Sequence, residues 1–141
     1  MAINLDTAKA KLTIISRTLS PEEIGTRLGL TWDDVRRVGD RKGKSDQIWN
    51  VNAWFLYETS DCAVDESPVD VALENCLRRL RERINLSSVA IHELAQTETV
   101  ELGLYMLSQN VPPIHLSPDT LEFIHKLGVE LDIDVVLYGD E

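Results

Sequence analysis

Four stretches of the chain alternate between apolar and other side chains with a period of two, the spacing of a pleated strand. In "KLTIISR", Leu12 and Ile14 share one side, and Thr13, Ile15 and Arg17 the other. "IWNVNAWFLYE" sets Trp49, Val51, Ala53, Phe55 and Tyr57 in one row and Ile48, Asn50, Asn52, Trp54 and Leu56 in the other. "TVELGLYML" groups Val100, Leu102, Leu104 and Met106 against Glu101, Gly103, Tyr105 and Leu107. "ELDIDVVLY" groups Leu131, Ile133, Val135 and Leu137 against Asp132, Asp134, Val136 and Tyr138.

Between the first two stretches, and again between the last two, lies a helix with the same opening and closing. Ser20 and Ser117 are placed to cap, Pro21 and Pro118 suit the first helical position, and acids follow where the dipole is positive. Ile24 and Leu28, then Leu121, Ile124 and Leu127, continue at helical spacing, and Gly29 and Gly128 end the two helices. The connector between these units carries the most regular helical stripe, Val69, Leu73, Cys76, Leu77, Leu80 and Ile84, with Pro68 at its first turn. A shorter helical piece runs from Ser88 to Ala95.

Two strand-helix-strand units imply an α+β fold, a ferredoxin-like plait with a four-stranded antiparallel sheet and an extra connector helix. A chain of 141 residues fits a single domain over residues 1–141. With Leu12, Val51, Phe55, Leu104 and Val135 turned to the helices, Ile15, Trp54, Tyr105, Val136 and Tyr138 face away. A plait leaves that side open, so these five residues predict an apolar partner-binding surface. A shift of one residue in the second strand would exchange its rows.

Composition narrows the function. Lys and Arg number 14 against 24 Asp and Glu, a net charge of −10, which disfavours nucleic acid and would steer a basic partner. No apolar run is long enough for a membrane span and the start lacks a signal-peptide core, so the expected location is the cytoplasm, with no membrane partner. Cys62 and Cys76 form no CxxC pair and read as reduced structural thiols.

Chemistry is sparse. "RRVGDRKGK" gathers Arg37, Arg41, Lys42 and Lys44 around Gly39 and Gly43, residues that could hold an anionic ligand, although the P-loop pattern is absent. His92, His115 and His125 have no metal-ligand spacing. Asp132 and Asp134 share a strand face, as solubilising side chains or as a cation site. Ser16, Ser20 and Ser117 lack a nucleophile-elbow context. The expectation is a protein that is not an enzyme, with no cofactor and no metal.

Several features together carry a resemblance. They are Ser20-Pro21-Glu22-Glu23-Ile24 closing at Leu28-Gly29-Leu30, the basic loop Arg37 to Lys44, and the strand beginning at Trp49. The amphipathic connector helix and "LSPDTLEFIHKLGVELDIDVVLY" complete the set. From about Ala10 to Tyr138 the chain resembles a bacterial family of unknown function, domain of unknown function 4279. The resemblance implies the α+β fold and transfers no activity. Some small acidic families of this kind occur as immunity proteins beside bacterial toxins. The function expected is macromolecular interaction through the open sheet face, as a homodimer or as an immunity-like inhibitor. The alternative is a regulatory domain that holds a small anionic ligand in a pocket between the sheet and the connector helix, gated by Arg37 to Lys44.

Overall fold

The computed structural model describes residues 5–63, 69–110 and 114–138. Strand β1 spans Leu5–Ser16, helix α1 Pro21–Leu28, β2 Asp34–Arg36, β3 Asn52–Ala63 and α2 Val69–Ile84. A single 3-10 turn, Asn85–Ser87, leads into α3, Ser88–Leu94. Then come β4 at Thr99–Ser108, α4 at Pro118–Leu127 and β5 at Glu130–Leu137. The predicted first-turn residue Pro68 lies outside the described residues.

The two similar helices start and stop as their sequences dictate. Ser20 Oγ accepts from the Glu23 amide at 3.1 Å, and Glu23 returns a carboxylate oxygen to the Ser20 amide at 3.4 Å. Ser117 Oγ accepts from the Thr120 amide at 3.2 Å. Both helices end on a left-handed glycine, Gly29 at φ 68° and Gly128 at φ 64°.

The sheet differs from the expected one in size and direction. It has five strands in the order β2-β3-β1-β4-β5, and it is mixed: β4 and β5 are parallel, and every other neighbouring pair is antiparallel. The predicted first unit joined β1 to β3 as parallel strands. They are instead antiparallel neighbours, because a short strand, β2, intervenes in the chain. The helix α1 returns the chain so that β2 runs parallel to β1, and the β2–β3 hairpin then reverses it into the slot beside β1. With β3 and β4 on either side of β1, β5 takes the free edge of β4.

One face of the sheet carries the core. On β1, Ala8, Ala10, Leu12 and Ile14 are all fully buried. The two alanines leave room for α2, whose Leu73, Cys76, Leu77, Leu80 and Ile84 pack in the same cluster. Ile24 and Leu28 of α1, Ile91 and Leu94 of α3, and Phe123, Ile124 and Leu127 of α4 join it. The Glu74 carboxylate on α2 accepts from the Ser117 amide at 3.0 Å and the Thr120 hydroxyl at 3.1 Å, tying α2 to the positive end of α4.

Trp54 requires a correction. Predicted on the open face, it is fully buried on the helix side, with Leu56 beside it in sequence on the same row. Ile14 pairs with Trp54 and Thr13 with Phe55, so the register places Trp54 over the core and turns Phe55 outward. The rows of the second predicted strand are therefore exchanged. No helix of the described residues is long and apolar enough to cross a membrane.

Candidate functional site

The face opposite the helices is set by strand register. On β1 it presents Thr7, Lys9, Lys11, Thr13 and Ile15. Across from these stand Phe55, Tyr57 and Thr59 on β3, and Thr99, Glu101, Gly103, Tyr105 and Leu107 on β4. β5 adds Glu130, Asp132, Asp134 and Val136, and β2 adds Asp34 and Arg36.

Three aromatic rings and two ammonium groups interleave at its centre. Lys9 Nζ lies 4.7 Å from the Tyr57 ring centroid. Lys11 Nζ lies between Phe55 and Tyr105, 5.3 and 5.2 Å from their centroids. Gly103 makes this possible. Tyr105 folds back along its own strand so that its ring covers Gly103, and a Cβ there would stand 2.6 Å from Tyr105 Oη and Cε2.

Charge divides the face. Burial, and then the neighbouring Lys9, lower the pKa of Lys11 below the usual lysine value. At the β5 side, burial followed by the Asp132 and Glu130 carboxylates raises the pKa of Glu101. Burial and the same acidic margin, Asp132 first, raise the Tyr105 phenol. A shallow groove of about 270 Å³ runs between the two margins at one end, along Lys9, Tyr105, Leu107, Asp134 and Val136.

Of the residues predicted for this surface, Ile15, Tyr105 and Val136 are on it and Trp54 is not. Tyr138 follows β5, half-buried, and its hydroxyl donates to Asp6 at 2.8 Å. Lys9, Lys11, Phe55 and Tyr57 belong to the surface and were missed. The signal for the lysines was present in "TAKAKLT", where small and basic residues alternate and extend β1 upstream.

The basic loop forms the outer part of the β2–β3 hairpin. The Gly39 amide donates to Trp49 O at 2.9 Å, the Lys42 amide to Gln47 O at 2.8 Å, and Arg41 bridges to Ile48. Arg37 is engaged elsewhere. Its two terminal nitrogens hold the Glu22 carboxylate at 2.9 and 2.6 Å. That bidentate hydrogen bond holds Glu22 down at about 2. Lys42 sits 4.9 Å over the Trp49 ring, and Arg41 and Lys44 are exposed. The space between α2 and the sheet, expected to hold a ligand behind this loop, is filled by Leu73, Leu77 and Leu80.

Ser16 is committed to structure. Ser16 donates to the Glu98 carboxylate, and its oxygen accepts from the Thr18 and Leu19 amides at 3.1 and 2.8 Å. It closes a turn at the end of β1. Among the described residues no group of three His, Cys, Asp or Glu side chains is arranged to hold a metal ion.

No curated protein and no solved structure matches the chain. A family profile does, over residues 6–138, and the chain belongs to that family, described as Domain of unknown function (DUF4279).

Proposed function

We propose that this protein is an interaction module that binds a partner protein through the uncovered face of its sheet. The observation that carries the reading is the cluster of Phe55, Tyr57 and Tyr105 around Lys9 and Lys11 on a face that no helix of the described residues covers. Aromatic rings with an apolar body and a polar end are the usual anchors of protein interfaces. The acidic margin of the face and the net charge of −10 favour a partner with a basic surface. An immunity-like inhibitor, which covers a cationic site on a toxin, is one protein of this kind.

The architecture is read in the same way. The portion β1-α1-β2-β3-α2-β4, with its order β2-β3-β1-β4 and antiparallel neighbours, fits a ferredoxin-like plait to which α4 and β5 are appended.

The test is site-specific photocrosslinking in the native cell. A photoreactive residue at Tyr57 is expected to give a discrete adduct, lost on Lys9→Ala or Tyr105→Ala, whereas one at the fully exposed Leu86 gives none. Equal labelling from both positions, or none from Tyr57, overturns the reading. An adduct of twice the chain mass assigns the face to a second copy.

A further inference from the structure

β5 forms one margin of the sheet, and among the described residues no strand pairs with its outer edge. Its burial sets it apart: Val135 alone is half-buried and the other seven residues are exposed. Leu131, Ile133, Val136 and Leu137 are 38%, 43%, 53% and 51% exposed. The helix α4, which leads into β5, packs on α2 and α3 and leaves the helix-side row of β5 open. An edge of this kind invites another strand, and proteins blunt such edges with charged side chains, lysine above all, with proline or with a bulge. β5 has neither lysine nor proline, and its register against β4 is unbroken from Glu130 to Leu137.

What β5 does carry is a row of carboxylates. Glu130, Asp132 and Asp134 lie on the open face, beside Glu101 of β4. Leu131, Ile133, Val135 and Leu137 form the opposite row. We propose that β5 takes up an extended segment of the partner as a sixth strand, and that this segment alternates basic with apolar residues. Its basic side chains meet the carboxylate row, and its apolar ones cover the leucine and isoleucine row. Backbone hydrogen bonds supply affinity and the alternate side chains supply selectivity. A second copy of this chain fits worse, because two paired β5 edges would lay two rows of carboxylates side by side on one sheet face. The inference rests on the reading of the protein as a protein-binding module and extends it to the β5 edge that borders the aromatic centre.

Two synthetic eight-residue peptides test it on the full chain, one alternating Lys with Val and the other Glu with Val. The Lys/Val peptide is expected to bind saturably and to slow amide exchange along Leu131–Leu137 while leaving β2 unchanged. The Asp132→Asn, Asp134→Asn variant should bind it about tenfold more weakly, and added salt on the unmodified chain should weaken it in the same direction. N-methylation of the peptide along one edge should abolish binding. Protection by both peptides alike, protection away from β5, or no binding overturns the proposal. So does a dimer in which the β5 amides are already protected. Crosslinking from Tyr57 with an unprotected β5 would remove the added strand and leave the open-face reading standing.

Discussion

Arg83 of α2 grips Asp33, ahead of β2, with both terminal nitrogens, at 2.9 Å through Nη1 and 3.2 Å through Nη2. Nη1 also reaches the Tyr57 carbonyl at 3.1 Å and Glu58 at 3.3 Å. One side chain therefore fastens the main helix to the β2–β3 edge of the sheet. Burial works to raise the Asp33 carboxyl, and the hydrogen bonds from Arg83 and the Tyr57 amide outweigh it, leaving its pKa below 3.8. Both side chains are about one-third exposed, so solvent screening limits the pair. A double-mutant cycle with Arg83→Met and Asp33→Asn should give a coupling of about 1 kcal/mol by urea unfolding. Arg83→Met should cost more than Asp33→Asn, because Arg83 has partners in reserve. The folded-state pKa of Asp33 is depressed, so its stabilisation is present above 3.8 and lost as pH falls below it. The Asp33→Asn chain should lose less stability than the unmodified chain across that acid window.

Trp54→Ala should destabilise by about 3–5 kcal/mol, the cost of emptying a fully buried aromatic site. The indole nitrogen is buried without a hydrogen-bond partner, an arrangement that costs about 1–3 kcal/mol. Trp54→Phe removes that orphan donor along with part of the ring, so it should cost well under half as much as Trp54→Ala. Chemical denaturation of the two variants decides this. A Trp54→Ala chain of unchanged stability would contradict the assigned register of β3.

The two helix-ending glycines should respond differently to one methyl group. At Gly29 a Cβ meets nothing within 4 Å, so Gly29→Ala costs only the left-handed backbone, about 1 kcal/mol. At Gly128 a Cβ would stand 2.5 Å from His92 Nδ1. Gly128→Ala should therefore cost more than Gly29→Ala, and His92→Ala should recover the difference. Thermal unfolding of the three single variants and the Gly128→Ala, His92→Ala pair checks this.

Glu22 gives a second acid-dependent contact. The hydrogen bond from Arg37 brings its pKa from 4.5 to about 2. A depressed carboxyl stabilises the fold above its unfolded value, so the tie between α1 and the basic hairpin should hold above pH 4.5 and be lost as pH falls toward 2. Carbon-detected titration of the Glu22 carboxyl should show the low midpoint, and Arg37→Gln should raise it part of the way toward 4.5, because the hydrogen bonds from the backbone and from Ser20 remain.

The pattern of the sequence made the strands and capped helices legible and left the choice of face undecided. Both rows of β3 are rich in large apolar residues, Phe55 and Tyr57 on one side and Trp54 and Leu56 on the other. Alternation groups such residues without saying which group faces inward. The decision lies in pairing with β1, where Ile14 meets Trp54 on the core side. β2 was invisible for a different reason. Its three residues have no apolar period of their own, and it exists because β3 offers a backbone edge. The place of β5 was equally hidden, since it depends on which side of β4 is left free once β1 has paired with it, whereas its direction follows from the helix α4 that joins it to β4. The open-face lysines could have been read from the alternation of Lys9 and Lys11 with Ala8 and Ala10.

The strand at the middle of the sheet is also the first of the five to be made. β1 pairs on one side with residues 52–63 and on the other with residues 99–107, so neither of its ladders is local in sequence. During synthesis Leu12 and Ile14 wait for their first ladder until β3 leaves the ribosome and for their second until β4 does. Closing such distant contacts is slow, and the waiting strand is a target for chaperones and for mispairing. Premature termination between residues 63 and 99 would release a chain whose central strand has one side unpaired.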